Sequence, residues 1–366
     1  MPALGQVTKL ISAFTTNMGN SNSAEDLLKE GAVITLRHGD SCIIEKELAK
    51  GGFSTVCACK RNSDGLYLAV KRVRTRGGDA EAEALTEIRI HHMLGDANPC
   101  SPFIAPLLGS KVEKVGDCRD IYLFFPLFRN GSLSDCLLND DLVKDFLTEK
   151  TTLELFLSCA MAVETLHEHN IAHCDIKPLN FMLSEDRKSC ILIDFGSARG
   201  PPLIKQINKP FDALSEQERA EKFCSAAYRA PELWDVPSKG YLLDFQRCDV
   251  FALGCVLYAM SFPPYGFSPF ESPLQGIMPL AARTASFYFP SNQDNLSKNG
   301  NESSRKLPKF REVRGAKELI SSMLSHDPAQ RITAKEVVIR TKQLLNQIDE
   351  EDFAVDFSSS PEALKN

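Results

Sequence analysis

"AHCDIKPLN", residues 172–180, is the stretch on which the reading of the whole chain turns. Asp175 is a carboxylate able to orient a hydroxyl and accept its proton, Lys177 an ammonium able to steady a transferring phosphoryl group, and Asn180 a carboxamide able to hold a metal. "LIDFGSA", residues 192–198, follows after a short strand-like run and puts Asp194 where a second oxygen ligand for a cation is needed. An Asp and an Asn at this spacing arise often by chance. Followed by Asp-Phe-Gly at this distance they are specific, because the two motifs serve distinct steps of one phosphoryl transfer.

Working upstream, "LYLAVKRV" (66–73) places Lys71 on a strand, where its ammonium can pair the phosphates of a nucleotide if a carboxylate holds it. "ALTEIRIHHML" (84–94) offers Glu87, read here on an apolar helix face with Leu85, Ile90 and Leu94; Glu81 and Glu83, nearer the helix start, read as solvated charges. "ELAKGGFSTVCACK" (47–60) is a degraded phosphate-covering loop: Ala49 and Ser54 stand where glycines would be expected, and Gly51, Gly52 and Val56 remain. Leu48, Ala49, Gly51, Gly52, Phe53, Val56 and Ala69 are the nucleotide-binding candidates there. In "FFPLFRNGS" (124–132) an adenine edge would use the carbonyl of Pro126 and the N–H of Phe128, so the missing N–H of Pro126 costs nothing; Met182 joins the same candidate set.

The 366 residues suffice for two ordinary domains or one bilobal domain with tails. A net charge of -6 gives no basic stripe for nucleic acid, and no apolar run approaches the length of a spanning helix. The 12 cysteines are scattered, and Cys57-x-Cys59 has strand rather than zinc-knuckle spacing, so a reduced chain of the cytosol or nucleus is expected. Residues 1–32, 292–308 and 347–366 read as flexible by composition. Between them, 33–127 favours strands apart from a helix over Ala80 to Leu94, and the chain after Gly131 favours helices, notably Leu153 to His167, Asp249 to Met260, Ala316 to Leu324 and Ala334 to Ile348.

With Lys71, Glu87, "HCDIKPLN", "DFG" and "APE" (230–232) in order, the chain resembles eukaryotic protein kinases from about residue 40 to 346. The resemblance implies an α+β bilobal fold, with an N-lobe over about 33–128 and a C-lobe over about 131–346. It also implies ATP and Mg²⁺ as cofactors, with metal ligands Asn180 and Asp194, and protein substrates. Lys177 and Ser225 are similar to serine/threonine kinases, Asp249 resembles the residue that anchors the catalytic-loop backbone, and Arg331 the one that pairs with Glu232. "GGFSTV", "FPLF", "LGCVLYAM" and "CSAAYRAPELW" resemble the serine/threonine kinase 16-like branch of the Numb-associated kinase group, which implies a helix in the activation segment. Independently, Ser215-x-x-Glu218 is a capping-box pattern that starts a helix at Ser215; a disordered loop is the alternative.

Cys174 stands where the family carries an arginine that receives a regulatory phosphate. Its loss predicts activity without activation-segment phosphorylation. A redox role and a plain packing role both remain open for the thiol. A pseudokinase that binds nucleotide as a scaffold, and a small-molecule phosphotransferase, are the competing readings; Lys71, Asp175, Asn180 and Asp194 argue against the first, "SAAYRAPE", Asp249 and Arg331 against the second. "MGNSNS" (18–23) fits the myristoylation pattern, so weak membrane association is expected only if Gly19 becomes the N-terminus and is acylated. Branch resemblance adds Golgi or other endomembrane association to an otherwise cytoplasmic expectation.

Overall fold

The computed structural model describes residues 28–36, 40–52, 54–95, 101–290 and 313–358. The expected acylation motif at 18–23, the insert at 292–308 and Phe53 lie outside the described residues. The described residues form two compact units, one made of those up to Gly131 with Ile193–Ala198, the other of Ser132–Leu192 with those from Arg199 onward. Strands dominate the first and helices the second, as an α+β chain requires.

The first unit is built on an antiparallel sheet of strands β1 (Val33–Thr35), β2 (Ser41–Lys50), β3 (Ser54–Arg61), β4 (Tyr67–Thr75), β5 (Gly109–Val115) and β6 (Cys118–Pro126), ordered β1-β2-β3-β4-β6-β5. Side chains alternate between its faces. Cys57, Cys59, Leu68 and Val70 point into a core with Ile44, Tyr122 and Phe124, which is where the Cys-x-Cys spacing leads. The other face carries Val73, Ile121 and Leu123 against Ala84 of helix α1 (Asp79–Gly95). Val56, Ala69 and Lys71 lie on that second face and stay half-buried. Within α1, Glu87, Ile90 and Leu94 share the buried face, but Leu85 is 45% exposed. It sits two residues before Glu87, about 200° away at 100° per residue, so the expectation that it shares that face is corrected.

In the second unit, helices α2 (Leu133–Leu137), α3 (Asp140–Asp145) and α4 (Glu149–Glu168) precede a two-stranded sheet of β7 (Phe181–Leu183) and β8 (Cys190–Leu192). A second pair joins β9 (Ile204–Ile207) to β10 (Tyr241–Asp244). Helix α5 (Pro210–Phe223) lies between them in sequence, and α6 (Phe245–Ser261) follows, capped by Asp244, whose side chain accepts the N–H groups of Gln246 and Arg247. Helix α6 is buried almost throughout. Gly254 permits this: a Cβ there would meet Met323 and Leu324 at 2.9 Å, at the edge of helix α8 (Ala316–Met323). Helix α7 (Pro279–Thr284) precedes α8. Helix α9 (Ala334–Ser358) runs ten residues beyond the expected end at Ile348, so the reading of 347–366 as wholly flexible is corrected for its first part.

Helix α5 confirms a helix in this segment but corrects its start. Lys209 is extended, Pro210 occupies the first turn, and Ser215 and Glu218 fall in the interior, where no capping box forms.

Candidate active site

In the first unit, Lys71 on β4 lies between two carboxylates. Its Nζ donates to Glu87 Oε2 at 2.8 Å and to Asp194 Oδ1 at 2.9 Å. Burial opposes the charge on Lys71, but Asp194 and Glu87 outweigh it and hold the ammonium protonated far above its ordinary range. Asp194 adopts φ 65, a left-handed conformation that costs a non-glycine residue about 1–2 kcal/mol. The next residue is anchored: Phe195 is fully buried and meets His91 of α1 edge to face at 4.9 Å. His91 also lies 5.6 Å from Phe125, and burial, with Lys71 nearby, holds its pKa down to about 4.

The expected nucleotide-binding residues of this unit occupy one region of the sheet. Val56 pairs with Lys71 across β3 and β4, Ala69 pairs with Phe125, and Leu68 with Pro126. Ala49 pairs with Val56, and the hairpin after Leu48 and Ala49 closes through the Gly51 N–H to Ser54 O at 2.7 Å. Neither Gly51 nor Gly52 uses the left-handed region, so neither position needs glycine for its backbone conformation. Pro126 ends β6, and Phe128 follows half-buried. Glu81 pairs with Arg119 at the surface, and Glu83 lies beside Gly196.

In the second unit, the loop after α4 is held from below by Asp249 of α6. Its carboxylate accepts the His173 N–H at 2.7 Å and the Cys174 N–H at 2.8 Å, and lies 3.1 Å from His167 Nε2. These bonds hold Cys174 at φ 64, a second left-handed residue beside the reacting group. Burial, and then Asp249, push the pKa of the half-buried Cys174 thiol well above its ordinary range, which disfavours the thiolate.

Asp175 is the junction of this half. Its Oδ2 accepts from Lys177 Nζ at 2.7 Å, its Oδ1 accepts the Ser225 N–H at 2.9 Å, and Lys177 also donates to Ser225 Oγ at 2.8 Å. Asn180 donates through Nδ2 to the Asp175 carbonyl at 2.8 Å. Asn180 is buried, and in the first unit the side chain of Asp194 is 39% exposed. Met182 lies on β7, half-buried and bridged to Ser132. Deeper, Arg331 is fully buried and makes a bidentate pair with Glu232 at 2.6 and 2.7 Å.

A protein-family model described as protein kinase domain matches residues 43–341. The chain belongs to the protein kinase family. Serine/threonine-protein kinase 16 of Mus musculus is 31% identical to it over 290 residues, covering 78% of this chain and 84% of the relative. The Homo sapiens protein of the same name is 29% identical over 286 residues, with the same coverage. Serine/threonine-protein kinase ppk13 of Schizosaccharomyces pombe is 26% identical over 341 residues, covering 83% and 90%. The protein is an ATP-dependent serine/threonine protein kinase, and it acts on protein substrates. Among the described residues no helix is long and apolar enough to cross a membrane.

Sequence reading alone missed three groups that the kinase brings together around its activation segment. Arg199, Lys205 and Glu216 join in one ion cluster. The signal available was the spacing of Ala213, Glu216 and Ala220, which share the buried face of α5.

Proposed function

We propose that the kinase transfers the ATP γ-phosphoryl group to protein Ser or Thr hydroxyls without needing a phosphate on its activation segment. The observation that carries this is Cys174: a cysteine cannot pair a regulatory phosphate, and its surroundings favour the neutral thiol. In this reading Asp175 orients the attacking hydroxyl and accepts its proton, and Lys177 stabilises the transferring group. Lys71, fixed by Glu87, holds the nucleotide phosphates, and Leu48, Ala49, Gly51, Gly52, Phe53, Val56, Ala69, Pro126, Phe128 and Met182 bind the rest of the nucleotide. Asn180 and Asp194 would hold the cation, read here as Mg²⁺, which when bound would supply positive charge to offset that of the phosphates. Ser225, Glu232, Asp249 and Arg331 position the substrate platform.

The reading includes a cytoplasmic protein that does not bind nucleic acid. If translation starts at Met18, acylation of Gly19 adds weak endomembrane association, and intact-mass analysis of the natural protein finding only an unacylated N-terminus upstream of Met18 removes that idea. A nucleotide-binding scaffold without turnover is the competing function. Autophosphorylation of the purified protein, absent in Asp194→Asn, separates the two; equal incorporation in both would defeat the proposal.

A further inference from the structure

The segment after Gly196 carries an ion cluster with no counterpart in the motifs. Glu216, on the buried face of α5, is 5% exposed, and its oxygens reach two different cations. Oε1 accepts from Lys205 Nζ of β9 at 2.7 Å, and Oε2 accepts from Arg199 Nη2. Arg199 is itself fixed twice. Its guanidinium lies over the Phe245 ring at 3.9 Å, and its backbone exchanges hydrogen bonds with Ala172 at 2.8 and 2.9 Å, two residues before Cys174.

The path from Glu216 returns to the same loop. Arg229 Nη2 donates to Cys224 O at 3.0 Å, Gln217 Nε2 donates to Trp234 O at 2.9 Å, and both fasten α5 to the stretch that follows it. Immediately beyond Cys224, Ser225 contacts both Asp175 and Lys177. The catalytic loop is therefore connected to the segment at Ala172 through Arg199 and at Asp175 through Ser225, with Glu216 and α5 spanning the two connections. A phosphate orders such a segment by giving arginine and lysine side chains an anion to converge on. Here the buried Glu216 carboxylate gives Arg199 and Lys205 such an anion. Without it, Arg199 and Lys205 would face each other with nothing between them, and the β9 to α5 connection would lose its clamp.

We infer that Glu216 is a positioning residue for phosphoryl transfer, a built-in anion that holds the activation segment in its substrate-accepting geometry in place of an added phosphate. This rests on the phosphorylation-independent activity proposed above.

The test uses the full chain, treated with phosphatase, with a peptide substrate and ATP. Glu216→Gln keeps the shape and removes the charge. It should lower peptide kcat/KM by about 10- to 100-fold, mostly through peptide KM, while the KM for ATP stays within about twofold. Glu216→Asp should recover part of the loss. Lys205→Ala, at the more exposed end of the cluster, should raise peptide KM about threefold without lowering Tm, and it serves if Glu216→Gln fails to fold. An active wild type with unimpaired Glu216→Gln overturns the inference alone, as does an unaltered Lys205→Ala where Glu216→Gln does not fold. An inert dephosphorylated wild type overturns the reading beneath it as well.

Discussion

The molecule holds two charge triads of opposite construction. In the first unit a cation, Lys71, sits between the carboxylates Glu87 and Asp194; in the second a carboxylate, Glu216, sits between the cations Arg199 and Lys205. The first belongs to residues that meet the nucleotide and cation in the proposed chemistry. The second touches no reacting atom and acts through Ser225. Similar electrostatics thus serve different ends, and substitutions should separate them: the first triad should govern turnover, the second the handling of peptide.

The largest effect is expected at the chemistry itself. Asp175→Asn should lower kcat by about 10²–10⁴-fold, measured by phosphate incorporation into peptide, with the fold intact by circular dichroism. Lys71→Met should lower kcat about 10²–10³-fold and leave peptide binding unchanged by calorimetry. If Lys71→Met weakened peptide binding as Glu216→Gln is expected to, the two triads would not be functionally distinct.

A third ion pair sets the scale for purely structural charge. Glu232 and Arg331 are buried together, and breaking the pair leaves an uncompensated charge. Arg331→Ala should cost about 3–5 kcal/mol in urea unfolding. The exposed pair Arg61–Asp64 marks the opposite limit, and Arg61→Ala should change stability by less than about 1 kcal/mol.

Acid gives the finest discrimination. Burial raises the Glu216 carboxyl, but Arg199 and Lys205 outweigh it, so its folded pKa lies below the ordinary value of about 4.3. Its stabilisation is complete above that value and is lost as pH falls through the lower folded pKa. The stability difference between wild type and Glu216→Gln should therefore be constant near neutrality and close in acid. His91 also has a depressed folded pKa, about 4 against an unfolded value of about 6.5, so wild type should lose stability between those values and His91→Leu should not. A stability gap for Glu216→Gln that widened in acid would contradict the ion cluster.

The two triads also differ in how far the sequence exposes them. Lys71, Glu87 and Asp194 are recognisable because phosphoryl transfer demands those residue types at motif distances from "HCDIKPLN". The strand-rich and helical halves follow from hydrophobic periodicity, which is strong in long elements such as α4 and α6. Glu216 had only the weak signal of its spacing from Ala213 and Ala220, since a glutamate in a polar helical stretch is ordinarily a solvated charge. Its burial depends on where α5 begins. A start at Pro210 places it with Ala213 and Ala220 on one face, whereas the Ser215-x-x-Glu218 pattern drew the expected start five residues too late. Leu85 failed for a related reason, because nearness in sequence to Glu87 did not put it on the same helix face. The pairing of Glu216 with Lys205 and Arg199 required β9 and α5 to be placed together, which local pattern does not encode.

Everything proposed for this kinase depends on chemistry that needs no phosphate on the activation segment. The direct measurement is the rate of peptide phosphorylation by the phosphatase-treated full chain, with mass spectrometry showing the segment unmodified and Asp194→Asn as the blank. The rate should be well above the blank and unchanged when segment phosphorylation is later allowed. An inert protein that gains activity only as the segment becomes phosphorylated would contradict it.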